Sequence, residues 1–429
     1  MRDGAGKGSP AFVLPNRIVL PDPLGDLSRL VFRYADLLVS AVDSFEAACP
    51  GNAEVSSEVR SKAAAQLALS TTKVASALMR ASIASGMFVE ADMKVEPGQP
   101  FRLDLIAKVS SWTGDPDAAF PLRVKGGLTL GSEVPIDDSG LWPLKGAEED
   151  SFRDVAPEYV VWDKNYRSFD EFKEKAMAKI QTDLDMGFAR GGIPWNEACA
   201  QLLEPDEEPP PEPRLWGEGG GPPSDVAAGF AAAKLGAVPQ GDSVRVVVDE
   251  TVDGVNRSTP LPETMQTPGL QELQGGMAAG LPLWKALKVD VKSAFKRIKL
   301  IKADWRRALF CVDGLWYFYV TLPFGARASA YWWVRFYAVI HRVLHWVLIK
   351  FPHGGLMYID DSLWLFEASI ASRCSAAVLL VLALFGVPLS WDKTQVGSQV
   401  DWVGFAVDLE QRKVQVGAAK LGISKISLH

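Results

Sequence analysis

Two short segments of this sequence bring carboxylates to places where carboxylates are costly unless they do work. In Met357-Tyr358-Ile359-Asp360-Asp361-Ser362-Leu363-Trp364 two adjacent acids interrupt a run of apolar β-formers. Like charges that close repel, and a sheet partly strips them of water. A hairpin tip holding a divalent cation removes that cost, although the dipeptide alone reads equally as a plain turn between strands. In Leu287-Lys288-Val289-Asp290-Val291-Lys292-Ser293-Ala294-Phe295 a second run of β-formers delivers an acid, Asp290, at its end. Alone, Asp290 reads as a cap at a strand-to-helix junction. Together the three carboxylates come from separate strand ends. They form the hard-oxygen set that a pair of Mg²⁺ ions needs for in-line phosphoryl transfer.

The charge around these acids is uneven. The net charge of −7 argues against a general nucleic-acid surface. Yet nine basic residues fall between Lys285 and Arg307, against only Asp290 and Asp304. That stretch is either a solvated face or a phosphate-facing strip. The acidity lies elsewhere, partly in the Glu-Pro-rich run Glu204 to Pro213, which is a spacer or folds back on the basic strip.

The elements that must carry these residues follow from periodicity. Strands are expected at Val244 to Asp249, Leu287 to Val291 and Leu356 to Phe366, with a hairpin at Ala308 to Leu322 turning through Asp313-Gly314. Helices are expected at Ser57 to Met87, Ser168 to Met186, Val226 to Lys234, Ala328 to Ile349 and Ile370 to Phe385, and short strands and turns between Leu122 and Leu144. Glu204 to Ser224 reads as a linker too polar to order itself. Strands interleaved with helices around an antiparallel hairpin define an α+β domain. The apolar run from Ser329 to Ile349 is interrupted by Arg335, His341, Arg342 and His345, so no membrane span is expected. Four scattered cysteines with no C-x-x-C pair, and no signal-peptide pattern, point to an intracellular (cytoplasmic or nuclear) chain.

In order and spacing, Asp290 followed by Ala294-Phe295, then Leu322-Pro323-Phe324-Gly325 before a helix, then Tyr358-Ile359-Asp360-Asp361, resemble motifs A, B and C of the reverse-transcriptase palm. Ser390-Trp391-Asp392-Lys393-Thr394 is similar to the motif with a lysine before the primer grip, and Trp402-Val403-Gly404-Phe405 to the primer-grip hairpin. Val244 to Asp249 resembles the fingers strand whose arginine meets the triphosphate. Phe324 is closer to retrotransposon enzymes than to retroviral ones, which usually carry Gln there. The likeness spans roughly Arg245 to Phe405.

The resemblance implies a right-hand palm and fingers, an antiparallel sheet backed by helices, behind a mixed, mainly helical N-terminal region. The expected layout is an N-terminal region (1–150), a helical segment (151–203), the linker (204–224), fingers (225–283), palm (284–399), and primer grip with the start of a thumb (400–429). It implies an RNA-directed DNA polymerase that extends a DNA or RNA primer on an RNA template with dNTPs, using two Mg²⁺ ions or Mn²⁺. Asp290 and Asp360 would ligate both ions, Asp361 more weakly, and the Val291 carbonyl would add a ligand. Phe295 would be the gate against a 2′-OH, Arg245 would pair with triphosphate oxygens, and Lys393 would protonate pyrophosphate. Phe324, Gly325 and Tyr358 would line the nucleotide and template-primer path, with Arg327 and Ser329 at the template. Trp402 and Gly404 would position the primer.

Ser293 replaces an acid frequent in the family, and no fingers lysine is evident beyond nearby Lys234. Only 24 residues follow Phe405, too few for a thumb, so a fragment or decayed copy is expected. Two other readings stay open: an RNA-dependent RNA polymerase, and a catalytically silent relative that binds RNA or protein.

Overall fold

The computed structural model describes residues 12–13, 22–146, 159–212, 229–278 and 282–417. Helices dominate the first part. After β1 (Phe12–Val13) come α1 (Gly25–Ala35), α2 (Val39–Ala48), α3 (Ser57–Ala84), α4 (Leu103–Trp112) and α5 (Phe120–Lys125). One 28-residue helix, α3, fills the Ser57–Met87 stretch, and the Ser56 side chain caps it by accepting from the Val59 N–H. The strands expected between Leu122 and Leu144 do not form: α5 takes the first residues, and the rest is turns with isolated bridges at Leu128 and Leu144. The backbone there pairs with buried carboxylates instead of a ladder. Glu263 accepts from the N–H groups of Ser139 and Gly140, and Asp304 from that of Leu130.

Next follow α6 (Arg167–Glu171), α7 (Lys173–Asp185), β2 (Ala189–Ile193), α8 (Trp195–Leu202), β3 (Ala232–Gln240) and β4 (Ser243–Asp249). The helix expected at Val226 to Lys234 is corrected: residues 226–228 lie outside the described residues, and the chain is strand from Ala232. Its alanines favour helix in isolation. Here Ala232 and Ala233 are fully buried, paired with Leu309 and Phe310 while Ala232 bridges Val161 on its other side, and that burial outweighs propensity. The described part of the acidic run is also not a free spacer. Glu204 pairs with Lys302 at 3.1 Å, Glu207 with Arg306 at 3.0 Å, and the Trp195 indole donates to the Pro210 carbonyl; residues 213–224 lie outside the described residues.

The remainder comprises α9 (Leu270–Ala278), β5 (Lys285–Asp290), β6 (Leu309–Val312), β7 (Leu315–Tyr319), α10 (Arg327–Val347), β8 (His353–Tyr358), β9 (Asp361–Phe366), α11 (Ala371–Phe385), β10 (Gln395–Gly397), β11 (Gln399–Trp402), β12 (Phe405–Asp408) and β13 (Lys413–Val416). The central sheet runs β1-β8-β9-β5-β10 with every pairing antiparallel. A second sheet runs β2-β7-β6-β3-β4, and β11-β12-β13 form a third.

One core joins the N-terminal helices to the central sheet. Val31 and Leu78 belong to the same buried cluster as Trp332 and Phe336 of α10, Leu379 of α11 and Val289 of β5. Polar ties reinforce it. Arg335 donates twice to Asp117 (2.7 and 2.8 Å) and Arg342 twice to Asp115 (2.6 and 2.9 Å). Among the described residues no helix is long and apolar enough to cross a membrane, and all four cysteines are free and buried.

Candidate active site

The three acids are placed by backbone pairing. In the β5–β9 ladder Asp290 lies directly opposite Asp361, and on the other side of β9 Tyr358 lies opposite Asp361. The β8–β9 hairpin turns through Ile359 and Asp360. Ile359 has φ +57°, a conformation uncommon for a β-branched residue, and the Trp333 indole of α10 donates to its carbonyl at 3.0 Å. The Val291 N–H donates to the Asp360 carbonyl (3.1 Å), and the Ser390 N–H to that of Asp290 (2.8 Å). Three separate elements thus meet at the tip.

The carboxylates are held short of full ionic comfort. Burial raises Asp360 above its ordinary value, and the charge of Asp290 adds to it. Burial pushes Asp361 up to about 7, with Lys288 opposing and Asp290 and Asp360 adding. Two lysines answer this charge. Lys393 Nζ lies 3.2 Å from both oxygens of Asp290, and Lys288 Nζ lies 3.4 Å from Asp361 Oδ1. Among the described residues no three His, Cys, Asp or Glu side chains are arranged to hold a metal ion as they stand.

Asp290, Val291 and Asp360 line a cleft of about 430 Å³, together with Arg245, Phe295, Phe324 and Lys393. The Phe295 and Phe324 rings stack at 5.6 Å, and the Arg245 guanidinium lies 5.3 Å from the centre of Phe324. With its amide oxygen turned to Arg245, Gln240 accepts from Nη2 and Nε at 3.0 and 3.2 Å. The cleft therefore has a floor of two rings topped by a cation.

Lys234 does not reach this cleft. Its ammonium sits over the rings of Trp162 and Tyr166, at 4.6 and 4.8 Å, a cation–π site at the far end of β3 from Gln240. Lys179 and Thr182 of α7, and Lys292, line the cleft instead. Sequence reading missed these α7 residues because a helix fixes which residues share a face, not which neighbour that face meets.

The Leu322–Gly325 loop is tied to β4. Val248 N–H donates to the Phe324 carbonyl, and Gly325 has φ +130°, where an added Cβ would stand 1.9 Å from the Val248 carbonyl oxygen. The close approach that demands glycine is thus to the chain itself. Asn256 brackets the loop, donating to the Gly325 carbonyl (2.9 Å) and accepting from the Arg327 N–H (2.6 Å). The Arg327 guanidinium donates to the Thr259 carbonyl, while Ser329 is fully buried and donates to that of Pro323. Ser329 is therefore out of reach of a template.

Trp402 is 1% exposed and its indole approaches the Asp361 carbonyl at 3.4 Å, so it packs under the acids. Val403 and Gly404 both have positive φ, as a two-residue hairpin turn requires. Phe324, which lines the cleft, and Tyr358, which does not, are both exposed. The basic stretch does not form one free strip. Lys285 pairs with Glu46, Lys296 with Asp183, and Arg307 with Asp304 and Glu133, besides the pairs of Lys288, Lys302 and Arg306 above.

No protein-family model matches the sequence, and no curated protein matches it. Among solved structures, the chain is similar to the foamy viral protease-reverse transcriptase in complex with double-stranded DNA, with TM-score 0.43 and 15% identity over 65% of this chain and 42% of that one. The same viral protein with an RNA/DNA hybrid gives TM-score 0.43 and 17% identity, covering 65% of this chain and 32% of that one. The native prototype foamy virus protease-reverse transcriptase gives TM-score 0.40 and 16% identity, covering 62% and 30%. The chain spans less than half the length of each of these proteins.

Proposed function

We propose that this chain is a reverse-transcriptase-type polymerase, extending a primer 3′-hydroxyl with dNTPs on an RNA template. The observation that carries the reading is the ladder register. Asp290 stands opposite Asp361, with Asp360 at the adjoining tip, beside a cleft floored by Phe295, Phe324 and Arg245. The central sheet and its helices, about residues 284–399, would then be the palm. The second sheet, with β3, β4 and α7, would serve as fingers, and β11–β12 as the primer grip.

The donor chemistry fits a hard divalent cation: Asp290, Asp360 and the Val291 carbonyl offer only oxygens, and all three residues line one cleft. Asp290 and Asp360 would hold Mg²⁺ or Mn²⁺, assisted by the Val291 carbonyl. When bound, the ions lower the pKa of the primer hydroxyl and neutralise the triphosphate. The chain's own groups do the rest. Arg245 binds phosphate oxygens, Phe295 excludes a 2′-OH, and Lys393, more than half exposed, swings from Asp290 to give a proton to the leaving pyrophosphate.

A second reading, a silent relative that only binds RNA or protein, is favoured by one observation: lysines already sit on two of the three acids. Primer extension on an annealed RNA template with Mg²⁺ or Mn²⁺, offering dNTPs and rNTPs separately, decides between them. Extension with dNTPs, abolished in Asp360→Ala, supports the polymerase. No extension by a folded parent that still binds RNA supports the silent relative.

A further inference from the structure

We propose that Lys288 is a resident cation of the carboxylate ladder, holding Asp361 as its ion-pair partner and leaving divalent-cation binding to Asp290 and Asp360. This deepens the polymerase reading and rests on it for the identity of the metal site.

Lys288 precedes Asp290 by two residues on β5, so their side chains share one face of the central sheet. Across the ladder it lies opposite Leu363, which makes Asp361 its diagonal neighbour, within reach of a long side chain. The Lys288 side chain is 11% exposed, and lysines are almost never so buried without a partner. Asp361 Oδ1, at 3.4 Å, is its partner. That oxygen makes no hydrogen bond, so the ammonium is the positive charge it faces. Lys393 differs in kind. It bridges both oxygens of Asp290 from a side chain 58% exposed, and water can take its place there. One lysine is displaceable by an incoming ion; the other is enclosed by the sheet and stays.

The test is Mn²⁺ titration of the full chain without nucleotide or primer, followed by calorimetry and by the signal of free Mn²⁺. Asp361→Asn should bind Mn²⁺ as the parent does, whereas Asp360→Asn should bind about tenfold or more weakly. Lys288→Met frees Asp361 to ligate and should tighten Mn²⁺ about tenfold, a gain erased in Lys288→Met/Asp361→Asn and absent in Lys288→Arg. If Asp361→Asn weakens Mn²⁺ as much as Asp360→Asn, the proposal is wrong. Should Lys288→Met fail to fold, Lys288→Arg and Asp361→Asn still decide it. None of these readouts needs extension. A parent that cannot extend a primer, yet shows this Mn²⁺ pattern, sinks the polymerase reading and keeps the role of Lys288.

Discussion

Asp290 and Asp361 face each other across the β5–β9 ladder, on one side of the sheet and at the spacing where like charges destabilise a strand pair. The chain answers with a lysine on each, Lys393 and Lys288, and with backbone ties that leave the acids no room to separate. The fold holds this repulsion in place rather than relaxing it.

The ring floor governs sugar choice under this reading. Phe295→Ala removes the ring stacked on Phe324, and rNTP incorporation relative to dNTP should rise by about tenfold or more. Competition assays with both nucleotide sets measure it; an unchanged ratio would remove Phe295 from the gate.

Gly325→Ala forces a Cβ against the Val248 carbonyl at a φ that alanine resists. The cost should be on the order of 3 kcal/mol, read as a lower midpoint in urea unfolding. Gly314→Ala, at the open β6–β7 turn where a Cβ meets nothing within 4 Å, carries only the φ penalty and should cost clearly less.

Arg335 and Asp117 form a buried bidentate pair, with side chains 6% and 8% exposed. Arg335→Leu leaves Asp117 buried without its cation and should lower stability by about 3–5 kcal/mol. Exchanging both partners for apolar residues should recover most of that loss. Equal losses in the single and double variants would show that packing, not the charge pair, is what α10 needs.

Stability should bend with pH in two opposed ways. Burial, then the charge of Asp253, hold Glu250 well above the usual range, and burial also raises Asp253. The folded state keeps these protons while the unfolded chain loses them near pH 4, so their contribution is complete below that pH and falls as pH rises through the folded values. Burial lowers His341 to about 3 and His353 to about 4, so the unfolded chain protonates first and stability is lost as pH falls below about 6.5. In Glu250→Gln/Asp253→Asn the decline with rising pH should shrink to the part that raised Asp360 and Asp361 carry, while the histidine loss below about pH 6.5 stays. An undiminished decline in that variant would assign the slope to other groups.

The acids and their strands were legible because alternation and motif spacing are local properties: Val244 to Asp249, Leu287 to Asp290 and the hairpin at Asp360 sit where the pattern expects strands. What failed was decided at a distance. Ala232 and Ala233 look helical until the sheet that encloses them is known, and Leu122 to Leu144 looks like strand until Glu263 and Asp304 take its backbone donors. Lys234 lay in the right stretch but faced two aromatic rings. The pairing of Lys288 with Asp361 depends on cross-strand register, which neither segment encodes by itself.

The shared core of α1–α5, α10 and α11 bears on how the protein can be handled. A shortened form beginning near residue 225 would strip the N-terminal helices from α11, whose Val378, Leu379 and Leu382 are now fully covered. Such a product would carry a sticky apolar slab beside its acids and precipitate. The N-terminal helices, far from the acids in sequence, are what cover the apolar back of the sheet that carries them.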